Sequence, residues 1–534
     1  QLDWVVLINN PANWTAHTNN SGYFGSAAYT HYNSTSCSTM TIATDLHTAG
    51  VWTGATDTNW FNCSNWDTLK VPDQNTNVLL SSAKATQEAV ISSTATDATL
   101  YGNIAKTNNL TISAEKVEIV NSGTTNILEV HGDLLIDNSG ALDMNVGGTT
   151  NAHIKLYGNW TNNVGNIAFD EGQGTVTFTG TTPQIISNVT PEGTETFGNL
   201  ILNNNFDTSV SNNIIAKGNL TINTGRTLTI TADDYAEVTN SVFNNGTFNI
   251  LNNGSLVQIN DLGVNTGNIS YERITTGAAL DYVYWSSPVN GVSTPASGYN
   301  YTWNTTVANP NGGQGNWVSA TNTAMQPALG YIMRGVLNRN FIGLPRNGVY
   351  TPTIARGSDL GAGSTGPNGI MRLATDDNWN LLGNPYPSAI SINSFLTANT
   401  QLDGFVRLWT HGTLPSTAIA DPFYDNFVSN YTASDYVAIN GAGATSGPGT
   451  LSVIGAGQGF FVLMDAGPAT TSTALFNNSM RDKGYSNSQF YRINTASRTT
   501  AITPSERHGI WLDLVSPTNE TTRTLVAYVT DATY

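Results

Sequence analysis

A short phrase recurs between residues 96 and 265, and it constrains the fold more than any other feature of the chain. The phrase is Gly or Asn, then Asn or Asp, then an apolar-polar-apolar run. Its copies are Asn109-Leu110-Thr111-Ile112, Gly132-Asp133-Leu134-Leu135-Ile136, Gly158-Asn159-Trp160, Gly198-Asn199-Leu200-Ile201-Leu202 and Gly218-Asn219-Leu220-Thr221-Ile222. Half-units of turn plus strand lie between and after them, as in Gly225-Arg226-Thr227-Leu228-Thr229-Ile230 and Asn245-Gly246-Thr247-Phe248-Asn249-Ile250. A run with period two buries one face only, and stacking the next copy on it completes a core. Gly and Asn suit corners that need left-handed backbone angles, and Asn can ladder with Asn one coil away. The pattern predicts a short right-handed parallel β-helix with coils of about 20 to 26 residues. The drift in spacing leaves a series of small β-sandwiches open as the alternative.

The flanks differ. Residues 1–95 are rich in Trp, Thr and Ser, lack the phrase, and read as a small β domain. Trp52, Trp60 and Trp66 within it could form a sugar-stacking platform or a buried anchor. Residues 266–534 gain Pro, Tyr and Trp, and strands of five to eight residues alternate with glycine-rich loops. They read as one or two β-sandwiches, with paired strands near Gly509–Leu514 and Thr524–Val529. Sustained helical periodicity is absent. The expected class is all-β: a solenoid flanked by a small β domain and C-terminal sandwich domains.

Composition narrows the function. The chain has 534 residues, of which 11% are charged, and it carries 65 Asn and 74 Thr. Net charge is −17, with 20 basic residues spread thinly, which argues against a nucleic-acid partner and against an anionic membrane surface. No run of 18 apolar residues occurs, so no membrane-spanning helix is expected. Low charge with abundant Asn and Thr suits an extracellular protein. There the two cysteines, Cys37 and Cys63, would form one disulfide contributing about 3 kcal/mol; in a reducing compartment they would remain two thiols. Gln1 reads as the start of a mature chain, and the stop at Tyr534 on a strand suggests a removed C-terminal region.

Several phrases carry a family resemblance. They are Trp52-Thr53-Gly54 with Trp60-Phe61, Asn65-Trp66 and Val71-Pro72-Asp73; Asp281-Tyr282-Val283-Tyr284-Trp285-Ser286-Ser287-Pro288-Val289; Gly330-Tyr331-Ile332-Met333-Arg334-Gly335; Asn378-Trp379-Asn380-Leu381-Leu382-Gly383-Asn384-Pro385-Tyr386-Pro387-Ser388; Gly455-Ala456-Gly457-Gln458-Gly459-Phe460-Phe461-Val462; and Glu506-Arg507-His508-Gly509-Ile510-Trp511-Leu512. Together they resemble the large, often adhesin-like surface proteins of Bacteroidota exported by the type IX secretion system. The resemblance touches most of the chain. It implies export through an oxidising periplasm to the outer-membrane cell surface, and a C-terminal sorting region that this sequence does not contain. It implies no catalytic residues. Asp67-Thr68-Leu69 matches the Asp-Ser/Thr-apolar pattern on which such organisms attach O-glycans, which makes Thr68 a candidate acceptor.

Enzyme motifs are missing: there is no metalloprotease helix motif, nucleophile elbow, Walker loop or dinucleotide fingerprint. The seven histidines are scattered, and none pairs with His or Cys at ligand spacing. The carboxylate pairs Asp170-Glu171, Asp233-Asp234 and Asp376-Asp377 are adjacent residues, which on a strand face opposite ways. Asp376-Asp377 lies in an oxygen-rich turn that could hold Ca²⁺; no other cofactor is indicated. Tyr282, Tyr284 and Trp285 are candidate ligand-contact aromatics, with burial in a sandwich core as the competing fate. The leading expectation is a secreted adhesin or structural stalk without catalytic activity. Its partner would be a surface glycan, a protein, or a further copy of the chain through strand pairing, for which Trp4–Ile8 is a candidate donor. A polysaccharide-degrading β-helix and a cargo held at the outer-membrane translocon are the alternatives.

Overall fold

The computed structural model describes residues 49–490, except 82–84, 86, 96, 121–125, 149–151, 190–193, 209–212, 276–280, 309–313, 358–376, 410–435, 442, 445–450 and 489, together with the strands His508–Val515 and Thr521–Tyr528. Cys37 and the run Trp4–Ile8 therefore lie outside the described residues. Residues 50–271 form a parallel β-solenoid of about 8 turns. One sheet runs the length of the stack: Ile104–Thr107, Asn126–Val130, Ala152–Leu156, Thr175–Phe178, Asn199–Leu202, Leu220–Ile222 and Val242–Asn244, each paired in parallel with the next. A second sheet of six strands begins at Ala49–Val51 and ends at Ile186–Asn188. A four-stranded third sheet ends at Phe169–Asp170, and two new sheets take over from Thr196–Phe197 and Phe206–Asp207. The cross-section thus changes near residues 186–207 while the seven-stranded sheet continues.

Parallel pairing removes the alternative of serial sandwiches. Most solenoid strands alternate buried and half-buried side chains, as in Leu110–Ser113 and Leu134–Asp137, and the inward residues merge into one core from Trp52 to Ile269. From Asn109 onward the coil period is as the phrase predicts, with ladder contacts recurring 20 to 26 residues apart, and the first coil is longer, Asn77 and Asn109 lying 32 apart. The Asn or Asp of the phrase forms a ledge. Asn109 Oδ1 accepts from Asp133 N at 2.9 Å, Asp133 Oδ1 from Asn159 N at 2.7 Å, and Asn159 Oδ1 from Ile185 N at 2.8 Å. Asn199 and Asn219 repeat the contact further on. Each side chain thus satisfies a backbone donor of the next coil, at a corner where the strand ladder cannot.

The glycine of the phrase has a different reason from the one expected. Gly158 is not left-handed; a Cβ there would stand 2.3 Å from Gly132 O of the coil before. The left-handed corners are held instead by Asn103, Asn138, Asn253 and Gly225.

Two boundaries move. The solenoid does not start at residue 96: Ala49–Val51 and Asn77–Ser81 are its first six-stranded-sheet members, and the tryptophan-rich block is part of its first coil. Nor is 265 a domain break. Ile269–Ile274 pairs in parallel with Thr247–Ile250 and antiparallel with Asn338–Gly343, so one strand belongs to both architectures.

Beyond it the sheets are antiparallel. A four-stranded sheet (Tyr282–Trp285, Tyr331–Arg334, Asn300–Ala308, Gln314–Ser319) and a five-stranded sheet (Trp379–Gly383, Gly459–Leu463, Val406–Trp409, Tyr436–Asn440, Gly443–Ala444) meet across an aromatic cluster. A second core gathers Tyr386, Ile390, Phe395 and Phe476 beside the short helix Ile392–Ala398, which Ser391 caps by accepting from Ser394 N. Residues 493–534 form a separate unit, in which His508–Val515 pairs antiparallel with Thr521–Tyr528, as the alternation there predicted.

Candidate functional site

The strand Tyr282–Trp285 shows how alternation distributes the candidate aromatics. Val283 and Trp285 face the core shared with the solenoid, and Trp285 is fully buried with Nε1 donating to Val336 O at 3.0 Å. Tyr284 turns to the opposite side, where its ring stacks on Trp409 at 5.7 Å and its hydroxyl meets Tyr436 Oη at 2.5 Å. Both are therefore core residues, the competing fate named for them, and of the two alternatives the contact surface falls away. Tyr282 is half-buried, and the Arg334 guanidinium spans its ring and that of the exposed Tyr299. Burial pushes the Tyr282 phenol up to about 12, so it remains a donor at neutral pH.

Around Tyr284 stands a rim drawn from four strands far apart in sequence: Tyr301, Trp303, Trp317, Trp379 and Tyr436, all half-buried. Cross-strand pairing puts Trp303 opposite Trp317, edge to face at 5.1 Å. Trp303 Nε1 donates to Trp379 O at 2.9 Å, and Arg407, held by Asp403, lies over the Trp379 ring at 4.7 Å. Five rings are thus fixed in orientation while keeping partial access to solvent. That is the geometry that stacks on the apolar face of a sugar or fills a protein partner's pocket with little loss of side-chain freedom.

The remaining candidates are dispersed. Trp52, Trp60 and Trp66 are buried and packed edge to face at 4.8 to 5.0 Å, so they anchor the first coil rather than offer a platform. Cys63 is buried and disulfide-bonded. Thr68 is half-buried in a turn of the first coil, its hydroxyl 3.4 Å from Lys70 O. Asp170 is exposed while Glu171 is buried and paired with Lys217 at 2.5 Å. Asp234 accepts from Thr208 and Thr231, and Asp233 is exposed. Asp376 lies outside the described residues and Asp377 is buried. Among the described residues no three His, Cys, Asp or Glu side chains gather to hold a metal ion.

One carboxylate sits inside the solenoid. Glu195 is 1% exposed, at the change of cross-section. Its Oε2 accepts from Trp160 Nε1 at 2.9 Å and Asn162 Nδ2 at 2.8 Å, and its Oε1 accepts from Thr196 N at 3.2 Å. Burial raises its pKa above the usual carboxylate range despite these donors. The folded state therefore holds this proton more tightly than the unfolded chain. The associated stability is full below the unfolded value, about 4.3, and is lost as pH rises through the folded pKa. In Glu195→Gln that dependence is expected to vanish: the unfolding free energy of wild type minus that of the variant falls with rising pH across this window. Urea melts at several pH values measure it, and a difference that rises with pH contradicts the assignment.

Fold and rim together define a class: a parallel β-solenoid joined without a break to antiparallel sheets with an aromatic rim. The family model described as a domain of unknown function, DUF8693, matches residues 186–534, and the chain belongs to that family. The match opens at Ile186, on the last strand of the six-stranded sheet, so it takes in the solenoid after its change of cross-section. No curated protein and no solved structure matches the chain.

Proposed function

We propose that the protein is a secreted, non-catalytic adhesin or stalk of the cell surface that holds a surface glycan. The observation that carries the reading is the rim of five oriented, half-buried rings set on a rigid scaffold. The solenoid supports the stalk role. Its continuous core and repeating ledge bind each coil to its neighbours along the axis. Export by the type IX route and placement at the outer surface rest on the resemblance of the sequence phrases.

The test is incubation of the purified chain with a panel of soluble and insoluble polysaccharides, scoring retention and new sugar ends. Retention without new ends is expected. Trp317→Ala is expected to weaken it about fivefold or more, taking for a stacked sugar the lower end of the about 1–3 kcal/mol that an aromatic side chain contributes under a stacked base. New sugar ends from the wild type would sink the non-catalytic reading, and absence of retention on every polymer would sink the glycan reading.

A further inference from the structure

We propose that the outward face of the seven-stranded sheet around Lys106 and Lys155 is a second site, for an acidic, carboxylate-bearing polysaccharide. The proposal deepens the glycan reading above and rests on it, but the site is distinct from the aromatic rim.

Coil register builds the site. Lys106 pairs with Glu129 and Glu129 with Lys155, so three residues far apart in sequence form one outward row. Lys155 Nζ lies 3.2 Å and Lys106 Nζ 3.8 Å from the Glu129 carboxylate. The carboxylate sits below the amines: the Glu129 side chain is 11% exposed, against 37% for Lys106 and 35% for Lys155. What the face presents to solvent is therefore ammonium. Each ammonium has three donors; Lys155 spends one on Glu129, and Lys106 stands beyond hydrogen-bond distance from it.

The next outward row adds rings. His131 and Tyr157 follow the same two strands and stack nearly parallel at 4.5 Å. His131 Nε2 is buried, 3.7 Å from Glu129, and without a hydrogen-bond partner. On the other side of Lys155, His153 Nε2 is 2.8 Å from Thr177 Oγ1. Two lysines and two histidines on neighbouring coils are a concentration of basic groups in a chain with 20 Lys and Arg among 534 residues and a net charge of −17. Successive coils repeat at about 4.8 Å, close to the length one sugar residue adds to an extended polysaccharide. Lys106 and Lys155 stand two coils apart, about 10 Å, so carboxylates on alternate sugars meet the two lysines, with the half-buried Tyr157 beside them. Two amines are too few for the phosphate backbone of a nucleic acid, which needs a longer run of cations.

The experiment compares retention on immobilised polygalacturonate and on neutral dextran and cellulose, in low and high salt. Wild type is expected to bind polygalacturonate in a salt-sensitive way. Lys106→Gln with Lys155→Gln is expected to reduce that binding about tenfold or more and to leave retention on neutral polymers unchanged. If the double variant unfolds because Glu129 loses its counter-charges, the triple variant that adds Glu129→Gln restores a neutral row, and it is expected to fold and not to bind polygalacturonate. Undiminished binding by either folded variant overturns the proposal. Retention of wild type on neutral polymers alone overturns it while the glycan reading stands, and retention on none overturns both. New sugar ends from polygalacturonate that vanish in the variants would support the site and overturn the non-catalytic reading.

Discussion

Replacing Arg481 by alanine is expected to lower the unfolding free energy by at least about 3 kcal/mol. The guanidinium is buried and is satisfied by neutral oxygens. Nε donates to Ser388 Oγ at 2.8 Å, Nη1 to Asn478 Oδ1 at 3.1 Å and Asn347 Oδ1 at 3.2 Å, and Nη2 to Leu256 O at 2.6 Å. The fourth contact gives the residue its leverage. Leu256 belongs to the last strand of its solenoid sheet, whose free edge would otherwise have no donor for that carbonyl; Leu256 N is closed by Pro387 O at 2.8 Å. Burial lowers the guanidinium to about 10, so it is still charged at neutral pH. Its planar fork reaches four acceptors spread over three nitrogens, too far apart for the one nitrogen of an ammonium, so Arg481→Lys is expected to recover little. Urea unfolding of the three proteins measures this. A loss below about 1 kcal/mol for the alanine variant would mean that the contacts are incidental.

Gly158→Ala is expected to cost about 3 kcal/mol, near the upper end for overpacking. The added methyl would lie 2.3 Å from Gly132 O and 2.4 Å from Gly132 C, both backbone, and Gly158 N donates to that same oxygen at 2.9 Å. Neither atom can swing aside, so the two coils must separate and break the ladder between them. Gly225→Ala is the informative control. Gly225 has φ +74° and nothing near its absent Cβ, so only the left-handed strain of about 1 kcal/mol is expected. Hydrogen exchange of the neighbouring strands should localise the first effect to the coils around Gly132 and Gly158. Equal costs for the two substitutions would show that close stacking is not what requires the glycine at 158.

The solenoid was legible because its ledge uses the same two residue types in coil after coil. Its start was not, because Asn77 performs the ledge function without a preceding glycine, accepting from Asn109 N at 3.3 Å. The inward placement of Tyr284 and Trp285 was legible only as one of two fates. Alternation separates the two onto opposite faces, but both faces of that strand are covered, one by the solenoid core and one by the aromatic cluster. The row Lys106, Glu129 and Lys155 escaped for another reason. The two lysines stand at unequal sequence distances from Glu129, and only the register makes them neighbours. Glu195 carried no signal at all, since a glutamate in a polar loop gives no hint that it turns into the core.

The ledge also has a genetic consequence. Each coil docks on its neighbour through the same side-chain-to-backbone contact rather than through a private interface. A duplicated stretch of 24 to 26 codons would therefore insert as a finished structural unit. Such a gain lengthens the molecule by one strand spacing, about 4.8 Å, and asks for no compensating change elsewhere. The Arg481 closure and the Glu195 seam are one-off fittings that a duplication would disrupt. Length variation among relatives should accordingly arise in whole steps, on the N-terminal side of residue 186.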